Sequence, residues 1–211
     1  MDYDQIKTLA LNYADREDDE VINRMDSFIE ITEARINRQL KISDMANRAI
    51  IDLDEMDITP GQEYFGLPPD FGGLRDIKIT VGGSRLTCKY INPEQMNSLV
   101  SSTQYGEPGK QVYYSIAAQQ LQINPPQDTG MIEILYYQRL VPLTAAAPDN
   151  WLADINPDCY VFGILVEISA FVKDKIAAEV WEQRFKAAIS EIDTEDASNR
   201  WSGPPLEIKV G

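Results

Sequence analysis

The sequence predicts an α+β fold: a helical bundle formed by both chain ends, with an antiparallel β-sandwich or barrel-like domain inserted between them. Three observations carry this. Helical periodicity runs from Tyr3 to about Ile42 and returns after Pro142. Between the two, short β-rich runs alternate with Pro60-Gly61, Pro68-Pro69, Gly72-Gly73, Gly82-Gly83, Pro108-Gly109 and Pro125-Pro126. The stretch Asn156–Val172 is apolar on nearly every side, which in water requires a sheath of protein. The expected organisation is residues 1–45 with 141–199 as the discontinuous bundle, 46–140 as the β-rich insertion, and 200–211 as an extended C-terminal arm. A chain of 211 residues is long enough for one core with such an insertion.

In chain order, Asp2 or Asp4 starts a short helix to about Ala14. Tyr3, Ile6, Leu9 or Ala10, and Tyr13 lie near one face. An acidic link, Arg16–Asp19, leads to a long helix expected from Glu20 to Ile42. There Ile22, Met25, Ile29, Ile36 and Leu40 recur at helical spacing, and Glu20 and Arg24 form an i,i+4 pair. Strands are expected at Ala49–Leu53 and Arg75–Val81, with Gly82-Gly83 as a tight hairpin into Ser84–Tyr90. Asn92-Pro93-Glu94 starts a short helix to about Val100. Val112–Ile116, Gln120–Ile123 and Met131–Gln138 complete six or seven short strands. Helix resumes through Pro148–Trp151. Asn156 and Pro157 then open the central helix as N-cap and first-turn proline, with Asp158 at the positive end of the dipole. A last helix runs from about Asp174 to Asn199, with Ala178, Trp181, Phe185, Ala188 and Ile192 in one stripe. A break is expected near Lys173–Lys175, since a single helix of about forty residues would be unusual in a compact domain. The central run is shorter than a bilayer span needs and contains Glu167, so a membrane is not expected.

The charge narrows the function. With 19 basic and 34 acidic residues the net charge is −15, with acid in excess in each of residues 1–45, 46–140 and 141–211, and this disfavours gripping nucleic acid phosphates. The absence of histidine removes the commonest general base and metal ligand. Cys88 and Cys159 lack a CxxC spacing and read as two reduced thiols. The N-terminus shows no secretory pattern, which places the chain among soluble intracellular proteins. The Gly106–Lys110 run lacks phosphate-loop spacing and reads as a turn. Asp52, Asp54 and Asp57 miss the glycine and the bidentate glutamate of a calcium loop, and read as a solvated acidic loop. Tyr113, Tyr114, Tyr136 and Tyr137 suit core and rim positions better than a sugar-binding face. No catalytic, cofactor-binding or metal-binding residue is expected. In the arm, Pro204-Pro205 precedes Leu206, Ile208 and Val210, which alternate like a strand without a sheet. Such an end is either disordered or added to a neighbour's edge.

Several runs carry a family resemblance by their order and spacing. They are Phe28-Ile29 with Glu33-Ala34-Arg35-Ile36-Asn37-Arg38-Gln39-Leu40, Leu67-Pro68-Pro69-Asp70-Phe71 with Leu74–Ile77, Leu121–Pro126 with Ile132–Tyr137, and Trp151-Leu152, Pro157-Asp158 and Ala170–Asp174. The whole chain resembles the head-to-tail adaptor (connector) proteins of short-tailed bacteriophages, related to tail tubular protein A. The resemblance implies a non-enzymatic structural virion protein that forms an oligomeric ring, commonly a dodecamer. Its implied partners are the portal protein and the tail nozzle protein, with DNA passing through the channel without sequence-specific binding. It implies no cofactor and no membrane, and a place in the virion tail or neck, with host cytoplasm during assembly. The candidate interface residues are Arg35, Arg38, Trp201, Pro204, Pro205, Leu206, Ile208 and Val210. The alternative is a carbohydrate- or receptor-binding tail component that uses the β-rich insertion.

Overall fold

A computed structural model describes residues 1–101 and 111–201. The fold is α+β, and the chain divides into a helical unit, Met1–Ser43 with Leu140–Gly211, and a β unit, Asp44–Arg139.

In the helical unit, α1 (Tyr3–Ala14) begins at Asp2. Its carboxylate accepts from the Gln5 amide while Gln5 reaches back to the Asp2 amide, a reciprocal capping box. The long helix expected over Glu20–Ile42 is instead two helices, α2 (Asp19–Ile22) and α3 (Met25–Gln39). The break lies at Asn23 and Arg24. The Arg24 amide closes a tight turn on the Val21 carbonyl, which leaves Val21 and Met25 both fully buried. Glu20 therefore lies in α2 and Arg24 in the break itself.

After the β unit, α5 (Trp151–Ile155) is capped by the Asn150 side chain. The central helix α6 (Pro157–Phe171) follows. Asn156 precedes it without a side-chain cap bond, and its carbonyl accepts from the Cys159 amide instead. Cys159, Tyr160, Val161, Ile164, Leu165, Val166 and Ile168 are all buried, because α1, α3, α5 and α7 (Lys175–Trp201) pack around α6. The break before α7 needs no glycine: Lys173 takes the left-handed conformation at φ 64° and stops the helix. From α7, Phe185, Ala188, Ile189 and Ile192 are buried in the same core. Gly163 marks its closest crossing. A Cβ there would sit 2.3 Å from Thr32 Cγ2 on α3 and 3.2 Å from the Phe185 ring. Among the described residues no helix is long and apolar enough to cross a membrane.

The β unit contains β1 (Ala46–Asp52), β2 (Tyr64–Gly66), β3 (Phe71–Val81), β4 (Ser84–Tyr90), β5 (Gln111–Ala117), β6 (Gln120–Asn124) and β7 (Met131–Gln138). They form one curled sheet in the order β1-β7-β3-β4-β5-β6-β2. Gly82 and Gly83, at φ 55° and 77°, make the two-residue hairpin that joins β3 to β4. The strand β4 pairs with β3 over its first residues and then with β5 over Thr87–Tyr90, so the sheet turns a corner along it. Against the antiparallel expectation, the β4–β5 pairing is parallel. The cause is the helix α4 (Pro93–Ser101), which supplies the crossover that parallel neighbours require. Asn92 caps α4 at 2.7 Å, and Met96 on it is fully buried. Leu53, Phe65, Ile77, Ile79, Leu86, Val112, Leu121, Ile123, Ile132 and Ile134 fill the concave side.

Candidate functional site

The candidate surfaces belong to the helical unit, and three polar residues of α3 organise them. Glu33, Arg35 and Asn37 each reach a part of the chain that returns after the β unit. Glu33 Oε1 accepts from the Leu143 amide at 2.7 Å and from the Tyr160 hydroxyl at 3.0 Å. Asn150 donates to the same hydroxyl at 2.7 Å and to the Val141 carbonyl. Asn37 accepts from the Leu140 amide at 2.9 Å. Arg35 Nη1 meets Glu167 on α6 at 3.1 Å, and Nη2 meets Glu182 on α7 at 2.5 Å. The Arg35 guanidinium also lies 4.6 Å from the centre of the Phe185 ring. Burial works against the charge on Glu182, but its bonds to Arg35 and Lys186 outweigh it and hold the carboxyl below its ordinary range.

Glu33 has the opposite balance. It is buried, and desolvation raises its carboxyl above the ordinary 4.5 despite the two donors it accepts. The folded state therefore holds this proton more tightly than the unfolded chain. The stability this contributes is fully present below pH 4.5 and is lost as pH rises through the raised folded value. Glu33→Gln keeps the accepting oxygen and cannot ionise. The variant should be at least as stable as the parent at pH 7, with a flatter profile above pH 4.5. Urea titrations across that range measure it; an unchanged slope in the variant would exclude Glu33 as the source.

The remaining expected interface residues fall into two groups. Arg38 is exposed on α3, while Arg35 is mostly covered and engaged within the bundle. Trp201 ends α7. The Trp201 side chain and Pro204, Pro205, Leu206, Ile208 and Val210 lie outside the described residues. The end of α7 is nonetheless fixed. Asp196 accepts from the Ser43 amide at 2.9 Å and pairs with Arg200 at 2.5 Å, and Arg200 Nε donates to Ser43 Oγ. Burial opposes ionisation of Asp196, but these donors prevail and its carboxyl lies below the ordinary range. Residues 202–211 therefore follow a fixed helix end. At another place on the unit, Tyr13 and Trp181 stack, Phe162 and Trp181 stack, and Arg184 lies over both Phe162 and Trp181. Ile176 and Val180 on α7 are exposed.

The other sequence candidates have local roles. Asp52 accepts from the Asp54 amide, and Asp54 accepts from the Gly130 amide, so both carboxylates tie turns. Tyr136 stacks on Phe71 and donates to Asp70, which explains the Leu67–Phe71 run as the entry to β3. Tyr114 meets Tyr90 edge to face. Cys88 and Cys159 are free thiols; burial raises both, Cys159 to about 12, which keeps them protonated. Among the described residues no group of three His, Cys, Asp or Glu is placed to hold a metal ion. Gly106–Lys110 lies outside the described residues.

Of the runs that carried the resemblance, the one on α3 joins the two chain ends through Glu33, Arg35 and Asn37. The family model of the SU10 adaptor protein matches residues 1–207, a span that takes in both units. The chain belongs to the SU10 adaptor protein family. As an SU10 adaptor it is a phage adaptor and a structural protein of the virion. No curated protein is similar enough in sequence to count as a match. In this adaptor the sequence reading missed two features, the Glu33–Tyr160–Asn150 network and the Asp196–Arg200 anchor. The second had a signal, an acid and a base four apart at a helix end. The first had none, because its partners are far apart in sequence.

Proposed function

We propose that this adaptor assembles into a homo-oligomeric ring, commonly a dodecamer in such connectors, between the portal protein and the tail nozzle protein. DNA passes through its channel without sequence-specific binding, and the protein acts without a cofactor and without catalysing a reaction. The observation that carries this reading is the family match, which extends over residues 1–207 rather than over one unit alone. The net charge of −15 supports a like-charged channel wall along which DNA slides without sticking. Neighbour contacts fall to Arg38 and to the arm with Trp201, Pro204, Pro205, Leu206, Ile208 and Val210, and Arg35 supports the α3 face from within. A ring of one subunit needs a heterologous contact that closes, and an arm that follows a fixed helix end suits that need.

Mass photometry of the chain with and without purified portal tests the ring. Ring-sized complexes on adding portal are the expected result. A chain that stays single beside the portal would retire the reading. Deleting residues 202–211, which spares the Arg200 anchor, should leave the melting temperature within a few degrees and abolish ring formation. Full assembly by the shortened chain would remove the arm from the interface.

A further inference from the structure

The curled sheet of the β unit does not close. Its terminal strands, β1 and β2, both border a cavity of about 360 Å³ lined by Ile50, Ile51, Asp52, Phe65 and Gly66 and roofed by Met56 with its neighbours. Among the described residues each of these strands is paired on one side only, β1 with β7 and β2 with β6. The register fixes which groups of β1 face the gap. The Leu53 amide bonds to Gly130 on the β7 side, so by alternation Ile51, Ala49 and Asn47 also face β7. Arg48, Ile50 and Asp52 face outward. The Arg48 amide takes the Asn47 side chain and the Asp52 carbonyl takes the Met56 amide. Among the described residues, what remains is the Arg48 carbonyl, both groups of Ile50 and the Asp52 amide, a short run of ladder sites. Exposed edges are normally guarded by charge, proline or a bulge. Here the central residue, Ile50, is a large aliphatic side chain that is 58% exposed.

We propose that this open seam is the acceptor for the arm of a second copy, with Leu206–Val210 added as a strand along β1. The inference rests on the ring reading and names where the arm goes. Two features of the sequence and structure choose this occupant. Leu206, Ile208 and Val210 alternate with Glu207 and Lys209, a strand pattern by sequence, in residues 202–211, which follow the end of α7. The seam matches it face for face. On β1, Ala49 and Ile51 pack towards the β core, where the three aliphatic side chains of the arm would lie beside them and Phe65. Asp52 is on the opposite face, the side that would receive Lys209, with Glu55 also at the rim. Backbone bonds supply affinity in such strand addition, and the alternate side chains supply specificity.

The test mixes two full-length chains, one carrying Ile50→Cys and the other Lys209→Cys, which the proposal places on the same face of the added strand, in the presence of portal under mild oxidation. A disulfide between these positions can form only between copies, and only if their Cα atoms come within about 7 Å. Glu207→Cys, on the same face, covers a shift of register, and Ile176→Cys, on an exposed part of α7, reports random collision. Docking raises the local concentration of one thiol at the other, so cross-linking to the arm should run roughly tenfold or more faster than to Ile176→Cys. Equal rates would overturn the proposal, as would a disulfide formed only when both cysteines are in one chain. Mass photometry of the same samples separates the two readings. Rings without the fast cross-link sink the seam and leave the ring standing, whereas the cross-link without rings does the reverse. A second comparison uses Ile50→Pro, which removes an outward amide that β7 does not use. With hydrogen exchange confirming the β1–β7 ladder intact, this variant should lose assembly; normal assembly would also count against the seam.

Discussion

Replacing Gly163 by alanine is expected to destabilise the helical unit by about 2 kcal/mol, within the range for an overpacked core. The sign is the informative part. At an exposed helix position the same change would stabilise by about 1 kcal/mol, because alanine is the better helix former. At Gly163 the added methyl would lie 2.3 Å from Thr32 Cγ2, on a β-branched side chain that is itself fully buried. Neither helix can yield without disturbing Phe185 on the third. Thr32→Ala offers the rescue, since it removes the obstructing methyl along with a hydroxyl that is buried and has no hydrogen-bond partner. The double variant should recover most of the loss, giving a coupling of about 1–2 kcal/mol in a cycle of urea titrations. Simple additivity would mean that the crossing tolerates the methyl by another route.

Arg35→Ala should cost about 2–4 kcal/mol, between the value for an exposed pair and that for a buried one. The reason is what it leaves behind. Glu167 and Glu182 are only 20% and 30% exposed, and both would lose their shared cation at once. The stack on Phe185 would go as well. Arg35→Lys should recover only part of the loss, because a single ammonium cannot address two carboxylates on different helices with the same fork. The deficit depends on pH in a definite direction. Glu182 is held below its ordinary value in the fold, so its contribution is present above pH 4.5 and fades as pH falls through the lowered folded value. The gap between parent and Arg35→Ala should therefore narrow in acid, and thermal melts at pH 7 and pH 3 would show it. A gap independent of pH would assign the effect to packing on Phe185 alone.

Much of the fold was legible because its signals are local. The capping box at Asp2, the two glycines of the β3–β4 hairpin and the asparagine before α4 each act within a few residues, and each element formed where its signal lies. The apolar circumference of α6 correctly announced a helix surrounded by others. The misreadings arose where tertiary burial decided. Nothing local marks Asn23 as a break, since Val21 and Met25 fit one continuous stripe. The strand β2 is three residues long and owes its place to pairing with β6. The parallel pairing of β5 is a matter of connection rather than of composition. At the candidate interface, the pairing of Arg35 with Glu167 spans 132 residues, which no periodicity could reveal.

The split of the helical core also imposes an order on synthesis. Glu33 cannot meet Tyr160 until 127 more residues have been made, and the amino terminus meets Ala153 only after 152. The residues of the β unit, by contrast, form one continuous span, 44–139, and the strand pairs among the described residues all lie within it. On the ribosome this middle portion is complete while α3 still waits with its apolar face unmatched. The amino-terminal helices thus emerge first and are buried last.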